Sequence, residues 1–253
     1  MNLDNLPPPY VLNLPKSKKR LQLMTRHLVN VHDLKFYLYP ATLGKDVDVL
    51  AIKDLGYLPP RYVRPTSSIG LGMLGCMESH RRMWEDIKDK HTGPVLVLED
   101  DARLVPGFLD KLKVILSSVP DDGWDYINLC ALRCEGLTKD KGTISGLKDN
   151  ADWTLKKAMP VNNRLLRFKR RVPNAWTSTY LVHAESIPKL LAAWKDESSK
   201  GRFYEIRRRL YHLDWLWSFM AHVPEYKIDF YSLRKRAIAY REESTSDLRN
   251  ANK

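Results

Sequence analysis

The stretch that most constrains the fold is Val95–Asp101, whose sequence is Val-Leu-Val-Leu-Glu-Asp-Asp. Four consecutive apolar residues predict a strand buried on both faces of a mainly parallel sheet. The strand runs directly into three carboxylates, Glu99, Asp100 and Asp101. Ligands of open α/β sheets bind beyond the carboxyl ends of the strands. Because adjacent acids repel unless positive charge neutralises them, the stretch indicates a divalent metal site, with a solvated acidic turn as the alternative.

Strands and helices alternate through the first half of the chain. The further strands that we predict are Tyr10–Leu14, Lys35–Tyr39 and Trp124–Leu129. The predicted helices are Arg20–Val29, Met77–Lys88 and Pro106–Val119. The glycine-rich Ser67–Cys76 leads into the second of these helices, and Ala41–Pro65 is predicted to be a long connection. The alternation predicts a Rossmann-like α/β/α sandwich with a mainly parallel central sheet.

The second half predicts a mixed region instead. Cys130–Pro173 contains several glycines and prolines and no convincing helix. The elements predicted after it are strands at Thr177–Val182, Tyr226–Ser232 and Ala237–Tyr240, and helices at Ala184–Trp194 and from Tyr211. Residues 242–253 form a polar tail. Because the sequence contains neither an internal repeat nor an interdomain linker, we expect residues 1–253 to form a single domain.

The net charge of +12 favours an anionic partner: nucleic acid, an acidic membrane surface, or nucleotide and phosphate substrates. Two segments concentrate this charge. Residues 153–184 contain no acid, and residues 202–209 are also strongly basic. The basic residues of the first segment are Lys156, Lys157, Arg164, Arg167, Lys169, Arg170 and Arg171. They indicate an acceptor-side region or a footprint for a polyanion, with a solvated face as the alternative.

Cysteine usage and the first residues predict a reduced, cytoplasmic protein. The three cysteines, Cys76, Cys130 and Cys134, are too few for a disulfide framework, and the spacing of the last two matches no common zinc pattern. Met1–Pro9 is polar and proline-rich without the apolar core of a signal peptide. No stretch approaches the roughly 20 apolar residues of a membrane span.

Two further places carry candidate chemistry. A strand at Tyr10–Leu14, a turn with Lys16, and a helix from Arg20 form a natural nucleotide site, because backbone N–H groups at a helix start face phosphates. No glycine-rich phosphate motif accompanies this turn, so a solvated loop is the alternative. Asp214 lies between tryptophans, where burying a carboxylate is costly without a partner or a function; capping of the helix is the competing explanation.

Four blocks of the sequence resemble glycosyltransferase family 25, the lipooligosaccharide-biosynthesis type that includes procollagen galactosyltransferase relatives. The blocks are Tyr10-Val-Leu-Asn-Leu-Pro with Arg20; Gly75-Cys-Met-Glu-Ser-His80 with Trp84; Val95–Asp101 with Ala102; and Thr179-Tyr-Leu-Val with Asp214 and Ser246-Asp247-Leu248. The second and third blocks are the most specific. The sequence departs from the family pattern at Met73, where an acid is common, in the lysines that replace the opening arginines, and throughout Cys130–Pro173.

The resemblance implies a GT-A fold, a UDP-sugar donor, Mn²⁺ or Mg²⁺, and inversion at the anomeric carbon. Carried over by position, Asp101 binds the metal directly. Glu99 contacts the metal, its bound water or the ribose, and Asp100 turns inward to fix the loop beside the cofactor.

The resemblance also assigns nucleotide contacts and a general base. The residues expected to line the nucleotide site are Asn13, Leu14, Lys16 and Arg20. His80 and Arg81 are expected to bind the diphosphate or to order the loop. Asp214 is the first candidate for the base and Asp247 the second, and His212 or His222 is a candidate third metal ligand.

We therefore expect a metal-dependent inverting glycosyltransferase that moves a hexose or pentose from a UDP-sugar to a hydroxyl of a glycan, lipid-linked or protein acceptor. Residues 8–130 would form the donor-binding half and residues 131–241 the acceptor-side half. Peripheral contact with an acidic membrane is expected through the basic segments, and nucleic acid is not an expected partner. The alternatives are a metal-dependent phosphoester hydrolase and a non-enzymatic binder of polyanions.

Overall fold

A computed structural model describes residues 6–117, 119, 123–130, 155–157, 177–203, 213–233 and 238–241. The strands of these ranges are β1 (Tyr10–Asn13), β2 (Tyr37–Pro40), β3 (Pro94–Glu99), β4 (Ala102–Leu104), β5 (Tyr126–Asn128), β6 (Leu155–Lys157), β7 (Thr179–His183), β8 (Phe230–Leu233) and β9 (Ala239–Arg241). The α-helices are α1 (Lys18–Thr25), α2 (Val49–Asp54), α3 (Ser68–Lys90), α4 (Phe108–Ser117), α5 (Ile187–Lys200) and α6 (Leu213–Ala221). A π-helical turn, Arg26–Val31, extends α1.

Seven strands form the central sheet in the order β2-β1-β3-β7-β5-β8-β6. Five of them run in one direction, while β7 and β6 pair antiparallel with their neighbours. The sandwich with a mainly parallel sheet is thus confirmed, and its mixed part lies toward the C-terminal half as predicted. A separate two-stranded sheet pairs β4 with β9.

The chain changes direction across the sheet at β1. From β1 it moves outward to the edge strand β2, and it then returns past β1 to form β3 on the other side. Such a reversal leaves a crevice between the carboxyl ends of the two inner strands, which is where open α/β sheets bind ligands. Asn13 ends one of these strands and Glu99 ends the other, so the crevice receives the acidic triplet.

Two apolar layers cover the two faces of the sheet. Alternate residues of β3 serve opposite layers, since Val95 and Val97 join the first while Leu96 and Leu98 join the second. Helices α3, α5 and α6 contribute to the first layer, and α1 and α4 to the second. Burial on both faces explains the uninterrupted apolar run of β3 that marks the sequence.

Helix α3 is nine residues longer at its start than the sequence predicts. The glycine-rich segment is its first part, because Ser67 caps the helix by accepting the Gly70 N–H at 3.1 Å. Glycines on both sides allow the backbone of α3 to approach the backbone of residues 42–44 closely. A Cβ atom on Gly75 would stand 2.5 Å from the Thr42 carbonyl oxygen, and one on Gly44 would stand 1.7 Å from the Leu71 carbonyl oxygen. The predicted helix start at Met77 was therefore wrong, since the helix begins at Ser68.

The connection 41–65 also contains a helix that the sequence analysis did not predict. Helix α2 occupies Val49–Asp54, and Asp48 caps it by accepting the Leu50 and Ala51 N–H groups. Strands β4 and β6 were not predicted, and α5 ends at Lys200 rather than at Trp194. Apart from α3, the other predicted elements begin and end within about four residues of the observed bounds.

Several predicted features lie outside the described residues. They are Asp247, His212, most of Cys130–Pro173, nearly all of the basic segment 202–209, and the tail 242–253. Within the part of the chain that the structure describes, no helix is both long and apolar enough to cross a membrane.

Replacing Gly75 by Ala tests the close backbone contact of α3. Alanine in a helix interior ordinarily stabilises by about 1 kcal/mol relative to glycine. Here the added methyl group meets backbone atoms that cannot move cheaply, so we expect Gly75→Ala to lower the free energy of unfolding by about 1–3 kcal/mol. Urea denaturation gives the sign, and stabilisation by Gly75→Ala would contradict the contact.

Candidate functional site

The ends of β1 and β3 are tied together through Asp100. The Asn13 Nδ2 amide donates to Asp100 Oδ2 at 2.6 Å, and the Asp100 N–H donates to the Leu12 carbonyl at 3.1 Å. The Arg20 guanidinium of α1 forms an ion pair with Asp100 Oδ1. Asp100 is buried by these contacts. These contacts hold the turn after β3 against the end of β1.

Asp101 is completely buried and is held by two arginines. Arg241 Nε donates to Asp101 Oδ2 at 2.7 Å, and an Arg20 nitrogen lies 3.2 Å from the same oxygen. The two-stranded sheet explains the first contact, because β4 follows Asp101 directly and its Ala102 pairs with Arg241 of β9. An arginine 140 residues along the chain thereby reaches the acidic triplet.

The second oxygen of Asp101 has no donor. Within the described ranges, Oδ1 is buried and accepts no hydrogen bond. Burial raises the pKa of Asp101, and the negative charge of Glu99 raises it further, while the two arginines oppose the rise. A buried carboxylate oxygen without a partner is costly, and a bound cation would relieve that cost.

Glu99 has a different set of neighbours on the other side of β3. Its Oε1 atom accepts hydrogen bonds from the Thr177 hydroxyl, from His80 Nε2 at 3.3 Å and from the Cys76 thiol at 3.8 Å. His80 is itself buried, and its Nδ1 lies 2.8 Å from the Tyr180 hydroxyl.

These contacts keep Glu99 ionised. Burial acts to raise its pKa, but the His80 hydrogen bond, the charge of Arg241 and the Thr177 hydroxyl outweigh burial and hold the pKa at about 2. Burial and the charge of Glu99 in turn raise the pKa of the Cys76 thiol well above its usual value. Glu99 is therefore a permanent anion at the edge of the crevice.

Asp214 lies in the first turn of α6, where its Oδ1 accepts the Trp215 N–H at 2.9 Å. It is the second residue of the helix as described rather than the residue before it. One turn later Trp217 stacks on Trp84 at 4.4 Å and meets the His80 ring edge-on at 5.5 Å. The aromatic cluster therefore joins α6 to the Glu99 side of the crevice.

The carboxyl group of Asp214 titrates unlike that of Glu99. Burial raises the pKa of Asp214 to about 7, and the negative charge of Glu99 adds to the rise, while the Trp215 N–H and Arg241 oppose it. Two carboxyl groups whose pKa values are pushed apart suit different roles in one site. Asp214 can take up a proton near neutral pH, and Glu99 cannot.

Three further predicted site residues are Leu14 and Lys16, on the turn after β1, and Arg81, on α3. Lys16 is exposed on the turn after β1, and the Leu14 carbonyl in that turn accepts the Ser17 N–H at 2.8 Å. Arg81 directs its guanidinium nitrogens to Glu78 and Glu85. Both ion pairs lie within α3, so Arg81 is paired along its own helix.

Two histidines were candidates for a third metal ligand. The His222 Nδ1–H donates to the Ser218 carbonyl at 2.6 Å. His212 lies outside the described residues.

Sequence reasoning missed Arg241 and Thr177. The predicted last strand stopped at Tyr240, one residue short of Arg241, and the partner of that strand could not be assigned from local pattern. Thr177 was taken as the start of a strand, so its hydroxyl was not considered. An arginine at the end of a strand beside an excess of carboxylates is the signal that would have found the first.

Comparison with known proteins identifies the family of the chain. Residues 6–200 match the model of glycosyltransferase family 25, described as an LPS biosynthesis protein. A glycosyltransferase 25 family member of Anopheles gambiae is 27% identical over 189 residues, which are 72% of this chain and 28% of that protein. Procollagen galactosyltransferase 1 of Danio rerio is 31% identical over 158 residues, 58% of this chain and 26% of that protein.

A solved glycosyltransferase involved in glycosylation of the major capsid of PBCV-1 aligns over 95% of both chains with a TM-score of 0.45 and 12% identity, a likeness too distant to carry an argument. The match to the family model covers residues 6–200 of the 253. Because the match covers most of its length, the chain belongs to glycosyltransferase family 25. It spans roughly a quarter of the length of the curated relatives.

Replacing Arg241 by Met tests the clamp on Asp101. Breaking an isolated buried ion pair costs about 3–5 kcal/mol; because Arg20 keeps its contact, we expect Arg241→Met to lower the free energy of unfolding by about 2–4 kcal/mol. The exposed Arg82 is the control, and Arg82→Met should change stability by less than about 0.5 kcal/mol.

A double-mutant cycle with Asp101→Asn separates the ion pair from lost packing. If the two arginine variants behave alike, or if Arg241→Met costs as much in the Asp101→Asn background, the clamp does not stabilise the fold.

Asp214→Asn tests the raised pKa through the pH dependence of stability. The folded pKa of about 7 lies above the unfolded value near 4. The wild type therefore keeps this contribution below about pH 4 and loses it as the pH rises toward about 7. Asparagine does not ionise, so the variant should gain stability relative to wild type across that window.

Urea denaturation at several pH values measures that gain. Asp196→Asn is the matched control, because the Lys200 hydrogen bond lowers the pKa of Asp196 and predicts the opposite slope. A wild-type minus Asp214→Asn difference that is independent of pH would refute the shift.

Proposed function

We propose that the protein is a metal-dependent inverting glycosyltransferase that moves a sugar from a UDP-sugar to an acceptor hydroxyl. The observation that carries the proposal is the arrangement at the crevice between β1 and β3. There Glu99 ends β3 beside His80, and Asp101 lies two residues later beside Arg241. Asp214 comes from a separate helix, and burial raises its pKa to about 7. Family membership supplies the reaction class.

The nucleotide would lie at the end of β1. Asn13, Leu14 and Arg20 lie at the crevice, and the exposed Lys16 follows on the turn before α1. Positive side chains and the N–H groups of a helix start favour a diphosphate. Arg20 is already paired with Asp100 and Asp101, so its part is to hold the carboxylates and add positive charge beneath the phosphates.

A divalent cation fits the donor set of the site. Asp101 Oδ1 is a buried carboxylate oxygen without a hydrogen-bond donor in the described ranges, and Glu99 offers a second, ionised carboxylate. Oxygen ligands of this kind suit Mn²⁺ or Mg²⁺. When bound, such an ion neutralises the negative charge that develops on the leaving diphosphate. Arg241 and Arg20 hold the Asp101 carboxylate in place.

Asp214 is the proposed general base. In its ionised form the carboxylate accepts the proton of the acceptor hydroxyl as the hydroxyl oxygen attacks the anomeric carbon and the bond from that carbon to UDP breaks. A pKa near the working pH keeps a usable ionised fraction while leaving the group basic. Because attack and departure occur on opposite faces of the sugar, the configuration inverts. Asp247 remains the second candidate, outside the described residues.

The choice of donor and acceptor follows from the relatives alone. Because one relative is named a procollagen galactosyltransferase, UDP-galactose is the first donor to test, and a glycan, lipid-linked or protein hydroxyl is the proposed acceptor. Peripheral contact with an acidic membrane through residues 153–184 is proposed from charge.

The phosphoester hydrolase alternative requires further metal ligands clustered at another strand end. In the described ranges, ligand atoms of three or more Cys, His, Asp or Glu side chains come together at one place, formed by Cys76, His80 and Glu99. The positions of these ligand atoms, together with the family, therefore favour the transferase over the hydrolase.

Two variants separate donor binding from chemistry. With Mn²⁺ present, Asp101→Asn should weaken UDP binding measured by calorimetry by at least about tenfold, or about 1.4 kcal/mol. Asp214→Asn should leave that affinity nearly unchanged and lower kcat for UDP release from UDP-galactose by about 10²–10⁴-fold. Asp196→Asn, on the surface of α5, is the control for loss of a carboxylate.

No UDP affinity of the wild-type protein in Mn²⁺ would overturn the proposal. Equal loss of UDP binding in Asp101→Asn and Asp214→Asn would remove the assignment of separate roles. Other UDP-sugars are screened by thermal shift with and without Mn²⁺, so that a different donor is not mistaken for absence of activity.

A further inference from the structure

A second set of metal-ligating atoms meets at Glu99, beside helix α3. Cys76 Sγ, His80 Nε2 and a Glu99 carboxylate oxygen all lie within 4.8 Å of one another. We propose that these three residues form a site for a thiophilic divalent ion, for which Zn²⁺ is the natural occupant. The site is distinct from the Mn²⁺ or Mg²⁺ position assigned to Asp101, and its existence does not rest on the proposed function.

The geometry matches a tetrahedral ion with three protein ligands. Cys76 and His80 are four residues apart on α3, so they lie on one face of the helix, one above the other. His80 Nε2 is 3.3 Å from Glu99 Oε1, and Cys76 Sγ is 3.8 Å from the same oxygen. Ligands at zinc bond lengths in tetrahedral geometry are about 3.3–3.8 Å apart. The distances from Glu99 Oε1 to His80 Nε2 and to Cys76 Sγ therefore suit a zinc ion without rearrangement of the backbone.

Neighbouring side chains hold His80 in the orientation that a ligand needs. The Tyr180 hydroxyl lies 2.8 Å from His80 Nδ1, and the same hydroxyl accepts the Trp84 Nε1 hydrogen at 3.0 Å. The Trp217 ring meets the imidazole edge-on. Because the ring cannot turn, Nε2 stays directed at Cys76 and Glu99. Metal-binding histidines are commonly fixed through their other nitrogen in this way.

The ligand types select the ion. A thiol and an imidazole favour Zn²⁺ over Mg²⁺ or Mn²⁺, which prefer oxygen ligands. Cys76 and Glu99 are both partly exposed, so an ion can enter from the crevice. Binding places the ion where the His80 Nε2 hydrogen lay, moves that proton to Nδ1 beside the Tyr180 oxygen, and releases the Cys76 thiol proton to solvent. A solvent molecule or substrate oxygen takes the fourth position.

Occupation of this site has a consequence for activity, and that consequence alone rests on the proposed function. Glu99 is a single carboxylate shared by the two positions. An ion held by Cys76 and His80 takes its Oε1 atom from Thr177 and draws the carboxylate away from the donor side. Zn²⁺ should therefore inhibit sugar transfer even in excess Mn²⁺.

Titration of the reduced, metal-free protein with Co²⁺ tests the site directly. Tetrahedral Co²⁺ absorbs in the visible, and a thiolate ligand adds a charge-transfer band in the near ultraviolet. We expect one equivalent of Co²⁺ to produce both features and Zn²⁺ to displace it. Cys76→Ser and Cys76→Ala should remove the charge-transfer band and weaken binding at least about tenfold.

The chain offers a matched control because it contains three cysteines. In the Cys130→Ser/Cys134→Ser variant Cys76 is the single thiol, and the band should persist. If that variant does not fold, Cys130→Ala and Cys134→Ser are measured separately. Absence of the band in wild type, its survival in both folded Cys76 variants, or its loss with Cys130 or Cys134 would overturn the proposal.

A final comparison keeps this proposal separate from the function. Asp101→Asn should abolish Mn²⁺-dependent UDP binding and leave the Co²⁺ band unchanged. If sugar transfer is observed, Zn²⁺ inhibition relative to each variant's own rate should be at least about tenfold weaker in Cys76→Ser. A Co²⁺ band lost in Asp101→Asn would show that the two positions are one.

Discussion

The ion pairs between the strand-end carboxylates and two arginines are the interaction on which the rest of the site depends. Asp100 and Asp101 are buried side by side, and burial raises the pKa of both carboxyl groups. The positive charge of Arg20 opposes the rise at both residues, and Arg241 adds to that opposition at Asp101. The arginines come from opposite ends of the chain. Helix α1 must follow β1 closely, and β9 must return to β4, for both guanidinium groups to arrive. The charge requirement of the crevice thus fixes the path of the chain around it.

Glu99 belongs to the same triplet but depends on other elements. Successive side chains of an extended chain point to opposite faces of the sheet. The Glu99 side chain therefore points away from that of Asp100, toward α3 and the strand β7. Hydrogen-bond donors surround it there, and arginines surround its neighbours. Three adjacent acids consequently experience three environments. This division, rather than the number of carboxylates, gives the crevice an anion at Glu99 and an arginine-held carboxylate at Asp101, while the proposed base, Asp214, comes from a separate helix.

The parts of this arrangement that the sequence predicts are those encoded locally. The apolar run of β3 and the acids after it are contiguous, and the inward role of Asp100 was carried over by position from the family resemblance. The start of α3 was mispredicted because a glycine-rich stretch is locally a poor helix. The contact with Thr42 and Gly44 that requires those glycines is remote in sequence. Arg241 was missed for the same reason, since strand pairing across 140 residues leaves no periodic pattern.

The pairing of β4 with β9 also has a consequence for the order of folding. During synthesis β1, α1 and β3 emerge long before Arg241, so Asp101 must wait, hydrated or held by Arg20 alone, until nearly the whole described chain exists. Closing so long a loop adds little entropic cost beyond that of a shorter one. The pairing of β4 with β9 nevertheless forms only after nearly the whole described chain has been synthesised. An intermediate that lacks β9 would leave Asp101 without its contact to Arg241. Pairing of β9 with β4 would then add that contact and complete the crevice.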